Sequence, residues 1–598
     1  MKPLTETDRM AAWLDNLIPL KSRLNHLQLA GWQPSKVADQ GLGCRLLADV
    51  MIPMQDGTKL SADVYLPKKP GRYPAILQFS AYNRDLHTIG VPKGTNEIGS
   101  PPVITGRGYV QVVVTARGIG RSEGELMRWH AETEVQDHLA CVAWCAEQSW
   151  SSGDVCLFGT SYYGMNQPTI AAHRPPALKA FFCNEICTDF RRHVFRYAGY
   201  PNIEFFGLWT GANFTASGVK LHVPPVVRAA LSHLVNRPFV WNLVRRKIDP
   251  IMQGFKKNQP IPRALENLVA FFTDTDNDPA NRTDEGSFRR LSQIEIPFVV
   301  AQNRGNISLH QFGSYDLFER SATPVNRKWL IIGPAEYELP AYSWQLEALA
   351  FFDHVVKGID NGYHSQPAVR WFRDGARGGE PTWGGAADFP PPQSRKLTLH
   401  PVAADRSGHG VLKAEPAAEA SSHWLAAPQV PGLVPGTDTV MPHVLRFQYA
   451  VTSDMELVGP ARLQLALASS EIDTHVIVRL DRIGRAGNRQ CLSMGNQRAA
   501  ARHVMPDVST KAEVAIDDRI LTPLKPHEPV DLIVNMTPTA AILHAGDTLE
   551  LAVASRPALL GVSVKDGFLS YEGYALPPFI ARNTMLHGAR TTLDVTVC

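Results

Sequence analysis

Between residues 47 and 334 the chain repeatedly runs apolar for the length of one buried strand and then turns polar or helical, and no other feature constrains its fold as tightly. YPAILQFSAY and YVQVVVTARG lack strict alternation, as expected of central strands covered on both faces. Between Glu132 and Gln148, apolar residues recur at Val135, Leu139, Val142 and Cys145 with helical spacing, and DVCLFG then follows as another buried strand. KAFFC (179–183), IPFVVAQ (296–302) and KWLIIGP (328–334) continue the rhythm, and the helix-patterned SWQLEALAFFDHVVKG (343–358) closes it. Such β-α-β alternation predicts a doubly wound α/β sheet, entered through a hairpin formed by ADVMIPM, the turn QDG and KLSADVYLP.

The remaining chain divides around that core, which is expected to span 46–184 and 291–375. Residues 1–45 carry Met10, Ala11, Leu14, Leu17 and Ile18 at near-helical spacing and predict a helical extension. Residues 185–290 break the strand rhythm with aromatic-rich stretches such as IEFFGLWTG, which predicts a helical cap inserted after a strand. GGAADFPPPQS is expected to be a linker. From 390 to 598, short runs such as KLTLH, ARLQLALA, DTHVIVRL and DTLELAVA predict a β-sandwich of jelly-roll type.

Composition excludes several function classes. A formal charge of +3 over 598 residues, with acidic and basic residues interspersed, leaves no footprint for nucleic acid or a membrane surface. The eight cysteines are scattered, so reduced structural thiols are expected; Cys141/Cys145 and Cys183/Cys187 have i,i+4 spacing but no second ligand pair, and no metal site is predicted. The amino terminus lacks the uninterrupted apolar core of a signal peptide and no run approaches a membrane span, which predicts a cytoplasmic protein. RGIGRSEGE is glycine-rich but lacks dinucleotide-loop spacing, so no cofactor is expected.

One hexapeptide carries chemistry. Gly159-Thr160-Ser161-Tyr162-Tyr163-Gly164 places Ser161 in G-x-S-x-x-G, one residue longer than the G-x-S-x-G nucleophile pattern, directly after a predicted buried strand and before a predicted helix. Glycines two before and three after allow the sharp turn that stands a serine hydroxyl alone at a strand's end, while the Tyr162 amide at the helix start suits an oxyanion.

Here the chain resembles the cocaine-esterase and X-prolyl dipeptidyl-peptidase group of α/β-hydrolases. The likeness rests on IPMQDGTKLSADVYLP (52–67), RGIGRSEGE (117–125), AWCAEQSWSSG (143–153), GTSYYG (159–164), FFDHVVKG (351–358) and GPARLQLALASSEIDTHVIVRL (459–480). It implies an α/β-hydrolase core, a helical cap, a carboxy-terminal jelly roll, and hydrolysis of esters or amides through an acyl-serine. It also implies that Tyr82, in FSAYNRD, is a second oxyanion donor. The pattern departs from the family at two places: Gly305 and Asn306 stand where the acid belongs, and Tyr337 stands where the histidine belongs. His310 is the first candidate for a substitute base, ahead of Glu336 and His193, whereas His354 reads as scaffold. Two functions follow: a serine hydrolase acting on a small-molecule ester, amide or activated acyl group with an eroded triad, or a disabled hydrolase fold that binds an acyl or peptide-like ligand. The sandwich could bridge subunits of a homo-oligomer or pack on the core.

Overall fold

The computed structural model describes residues 29–37, 44–84, 97–125, 132–199, 239, 290–304, 310, 312–334, 340–376, 382–416, 418–427, 441–556, 560 and 579–598. Most of the expected amino-terminal helix and of the expected cap lies outside the described residues.

The first sheet contains β1 (Cys44–Pro53), β2 (Lys59–Pro67), β3 (Tyr73–Ser80), β4 (Val110–Thr115), β5 (Ser151–Thr160), β6 (Leu178–Asn184), β7 (Phe298–Asn303), β8 (Lys328–Gly333), β9 (Val369–Phe372) and β10 (Trp383–Ala386), in the order β1-β2-β4-β3-β5-β6-β7-β8-β9-β10. From β4 to β9 all neighbours are parallel, while β1, β2 and β10 pair antiparallel. β4, β7 and β8 are buried at every position, which is why their sequences are mostly apolar without strict alternation.

Helices α1 (Pro101–Gly106), α2 (Glu132–Glu147), α3 (Tyr162–Ala172), α4 (Gly313–Arg320) and α5 (Pro340–Val355) cover the sheet. Cys141, Val142 and Cys145 of α2 pack into one apolar layer, and Trp344, Leu349 and Phe352 of α5 into the layer on the other face. Trp32, just after the start of the described chain, docks on that second layer, its indole N–H donating to Glu347 and its ring standing edge-on to Tyr363. This is an α/β-hydrolase fold.

The expected linker begins inside the sheet, because Trp383–Ala386 adds β10 to its edge. Gly384 is needed there: a Cβ would lie 2.1 Å from the Trp371 ring. The second β unit contains β11 (Arg395–Pro401), β12 (His409–Lys413), β13 (Ser421–Ala426), β14 (Val444–Ala450), β15 (Met455–Ser469), β16 (His475–Ile483), β17 (Arg489–Arg498), β18 (Val530–Leu543), β19 (Thr548–Ala554), β20 (Ala581–Leu586) and β21 (Thr592–Val597). Pairing is almost wholly antiparallel and closes on itself, since β15 pairs with both β18 and β21, and β21 with β11. Its core is Leu- and Val-rich, as alternating strands require.

Ion pairs join this unit to the first: Arg191 and Arg196 to Asp518, Arg192 to Glu513, and Arg373 to Glu456, which also accepts from the Trp371 indole. No helix among the described residues is long and apolar enough to cross a membrane.

Candidate active site

Ser161 sits between β5 and α3 with φ 54° and ψ −122°, a conformation L-residues rarely adopt and one expected at a nucleophile elbow. The turn depends on its glycines. A Cβ on Gly159 would lie 2.3 Å from the Tyr163 Cβ, and one on Gly164 would lie 3.0 Å from the Gly159 carbonyl oxygen and 3.1 Å from that of Asn184. Gly159→Ala is therefore expected to destabilise the fold by about 3 kcal/mol through backbone overpacking, read as a lowered denaturation midpoint.

The turn is held from both sides: the Ser161 N–H donates to the Asn184 carbonyl at 3.0 Å, and the Ser161 carbonyl accepts from the N–H groups of Gly164 and Met165. The residue itself is half-buried. Tyr162 is the first residue of α3, so its N–H points out of the helix's amino end beside Ser161. Its side chain turns away and donates to both oxygens of Glu134 on α2 at 2.8 Å. Only the Tyr162 amide, not its phenol, is left to serve the serine.

Tyr82 is buried in the turn after β3, its ring 5.6 Å from that of Tyr162 and 5.8 Å from that of Tyr163. The turn is pinned by Arg84, which bonds to Asp49 at 2.8 Å, Asp63 at 3.3 Å and Ser61 at 3.1 Å. Asp49 reaches inward because the β1 edge bulges between Leu47 and Val50. Tyr82 and Tyr162 are thus brought together above the elbow.

His310 is buried with a positive φ of 59°, and burial pushes its imidazole down to about 3. Among the described residues no side chain makes a hydrogen bond with the Ser161 hydroxyl. Gly305, Asn306, Glu336 and Tyr337 lie outside the described residues. Just before the expected acid position stands Arg304, buried and ion-paired with Asp374. His193 is committed elsewhere, its Nε2 lying 3.1 Å from Glu513 and 3.8 Å from Asp316, where Arg192 also reaches Glu513 at 3.0 Å. His354 is half-buried on α5, its Nδ1 3.3 Å from the Ile359 carbonyl, in keeping with scaffold.

Two acids flank the elbow. Glu97 is buried and its backbone carbonyl accepts from the Thr160 N–H at 3.3 Å; Glu185 is wholly buried at the end of β6 with φ 51°. Burial, and then the Glu185 charge, raise the Glu97 carboxyl well above the usual carboxylate range. Neither residue lies in a recognisable motif; only the crossing of the loop before α1 over the end of β5 reveals them.

The remaining candidates are structural. RGIGRSEGE has Gly118, Gly120 and Gly124 at positive φ, and Arg117 within it is bidentate to Asp137 at 2.6 and 2.7 Å and bonded to Asp56 at 2.8 Å, as a folded loop requires. All eight cysteines are free thiols. Cys183 ends a strand and does not lie on a helix, so the i,i+4 spacing to Cys187 there has no helical meaning.

A nucleophile elbow on this sheet defines a serine-hydrolase-type protein. Residues 56–336 match the family model of X-Pro dipeptidyl-peptidase (S15 family), and 361–566 match that of the X-Pro dipeptidyl-peptidase C-terminal non-catalytic domain. The chain is 24% identical over 525 residues to the cocaine esterase of Rhodococcus sp., covering 79% of this chain and 87% of that protein. Among solved structures, a CocE/NonD family hydrolase from Staphylococcus aureus is similar with a TM-score of 0.70 and 21% identity, covering 96% of this chain and 98% of its own. An aminopeptidase from a marine sediment Thaumarchaeota archaeon follows with a TM-score of 0.67 and 16% identity, covering 94% and 98%. The chain belongs to the cocaine-esterase and X-Pro dipeptidyl-peptidase-like family of α/β-hydrolases.

Proposed function

We propose that the protein hydrolyses a small-molecule ester, amide or activated acyl group through an acyl-enzyme on Ser161. The observation that carries this is the strained Ser161 backbone, held at the open end of a buried strand with Tyr82 packed against Tyr162. Strain of this kind persists where the surroundings enforce it, and it places a hydroxyl where a carbonyl carbon can approach.

In this reading the Ser161 oxygen attacks the acyl carbon, and the oxyanion settles between the Tyr82 hydroxyl and the Tyr162 N–H. The leaving group departs with a proton, and water releases the acid. His310 is the proposed base on the loop after β7. An imidazole whose conjugate acid lies near 3 is neutral at pH 7 but a weak proton acceptor, so turnover is expected to be slow. The absence of a charged patch in the sequence supports a partner that is neither nucleic acid nor membrane.

The test is labelling with a fluorophosphonate probe. Wild type should be labelled at Ser161, and Ser161→Ala should not; equal labelling of both would overturn the proposal. A second reading, a disabled fold that binds an acyl or peptide-like ligand, is favoured by the Ser161 hydroxyl having no hydrogen-bonded side chain among the described residues. Turnover of p-nitrophenyl esters that disappears in Ser161→Ala would eliminate it.

A further inference from the structure

A cleft of about 430 Å³ opens on the β-sandwich, built wholly from residues 390–596 and so apart from the sheet that carries Ser161. That volume is within the ~300–1,000 Å³ typical of small-molecule sites. Its walls are partly apolar, from the half-buried Pro390, Val514 and Ile533, and four cationic side chains also line it.

Two of those cations are already neutralised. Lys511 pairs with Asp388 at 2.7 Å. Lys396 pairs at 3.2 Å with Asp594, the only carboxylate among the described residues that line the cleft. Asp594 is itself saturated, accepting also from Thr398 at 2.7 Å and Gln464 at 3.3 Å.

Arg462 is different. It rises from β15 half-buried, its Nη2 donates to the Lys511 carbonyl at 2.6 Å, and its Nε is shut off from solvent with no hydrogen-bond partner. No carboxylate among the described residues forms an ion pair with it. Burial pushes its guanidinium down, and Asp594 and Glu513 only partly offset that. A guanidinium taken out of water without a carboxylate costs free energy that an apolar residue of the same length would not, so the fold gains nothing from this charge by itself. Arg395, also without an ion pair among the described residues, stands exposed at the rim.

We propose that this cleft binds a carboxylate with an apolar tail, the carboxylate meeting the Nη1 and Nη2 end of Arg462 under the Arg395 charge and the tail lying on Pro390, Val514 and Ile533. Arg presents paired donors that match a carboxylate's two oxygens, and the walls favour carbon over further charge.

Titration calorimetry of the full chain with octanoate is the test, with inorganic phosphate and octanol as comparison probes. Saturable one-to-one binding is expected, weakened at least about 10-fold by Arg462→Met, weakened less by Arg395→Ala, and unchanged by Ser161→Ala. The unliganded Arg462→Met protein should melt no lower than wild type. The proposal is overturned if octanoate fails to bind, if Arg462→Met leaves its affinity unchanged, or if Ser161→Ala abolishes binding. Phosphate or octanol binding as tightly as octanoate would likewise overturn the ligand class, and a melting point lowered by several degrees in Arg462→Met would assign that residue to structure.

Discussion

Tyr82→Phe is expected to lower kcat by about 10²–10³-fold while leaving the melting temperature close to that of wild type, the cost of removing one donor from an oxyanion site. The ring would remain, packed on Tyr162 and Tyr163, and the turn would still be clamped by Arg84. Only the hydroxyl would be lost. The contrast is Tyr162→Phe, whose phenol bridges to Glu134 on a neighbouring helix. Losing a bond to a carboxylate should cost about 1–3 kcal/mol of stability, yet the Tyr162 N–H proposed as an oxyanion donor is unaffected. Parallel measurements of kcat and of the denaturation midpoint on the two variants separate the roles. If Tyr162→Phe were the more damaging to kcat, the assignment of donors would be wrong.

The sheet was readable because its strands are buried on both faces and the sequence shows that directly: β4, β7 and β8 have no polar face to maintain. The elbow was readable because a glycine is forced at Gly159 and Gly164 by contacts of 3 Å or less to the turn itself. What escaped has no local signature. β10 is written WGGA, and its glycine makes sense only beside the indole of Trp371 from β9. Glu97 and Glu185 are far apart in sequence; Glu97 reaches the elbow through the backbone bond from Thr160, and Glu185 follows Asn184, whose carbonyl accepts from Ser161. The commitment of His193 to Glu513 depends on the docking of a separate β unit, which no periodicity within either segment reports. Arg462 belongs to the same class: a basic residue in an alternating strand reads as a solvated face, and only the surrounding walls show that its Nε is enclosed.

His310 should make the wild-type protein more acid-labile than His310→Asn. Burial holds its folded-state value at about 3 against 6.5 for the free side chain, so the folded protein keeps the ring neutral while the unfolded chain takes up a proton below pH 6.5. The favourable neutral form is fully present above pH 6.5, and the stability it contributes is lost as pH falls from 6.5 toward 3. For one fully buried ring the loss is on the order of 4–5 kcal/mol at the acid end of that window. Two acids act in the opposite sense: Asp316, raised to about 6, and Glu97 both keep protons in the folded state that the unfolded chain releases, which favours folding as pH drops below their folded values. The wild-type curve alone therefore mixes these effects, and the difference between wild type and His310→Asn isolates the histidine. Asn is the apt replacement because it does not titrate and tolerates the positive φ at this position. Denaturation midpoints measured from pH 7.5 to 4 should converge or cross as His310→Asn loses less stability than wild type. Parallel curves would mean that the ring is solvated or already charged in the folded protein. The same variant bears on chemistry: if His310 is the base for Ser161, ester turnover at pH 7.5 should fall by about 10²-fold or more even though the fold is intact.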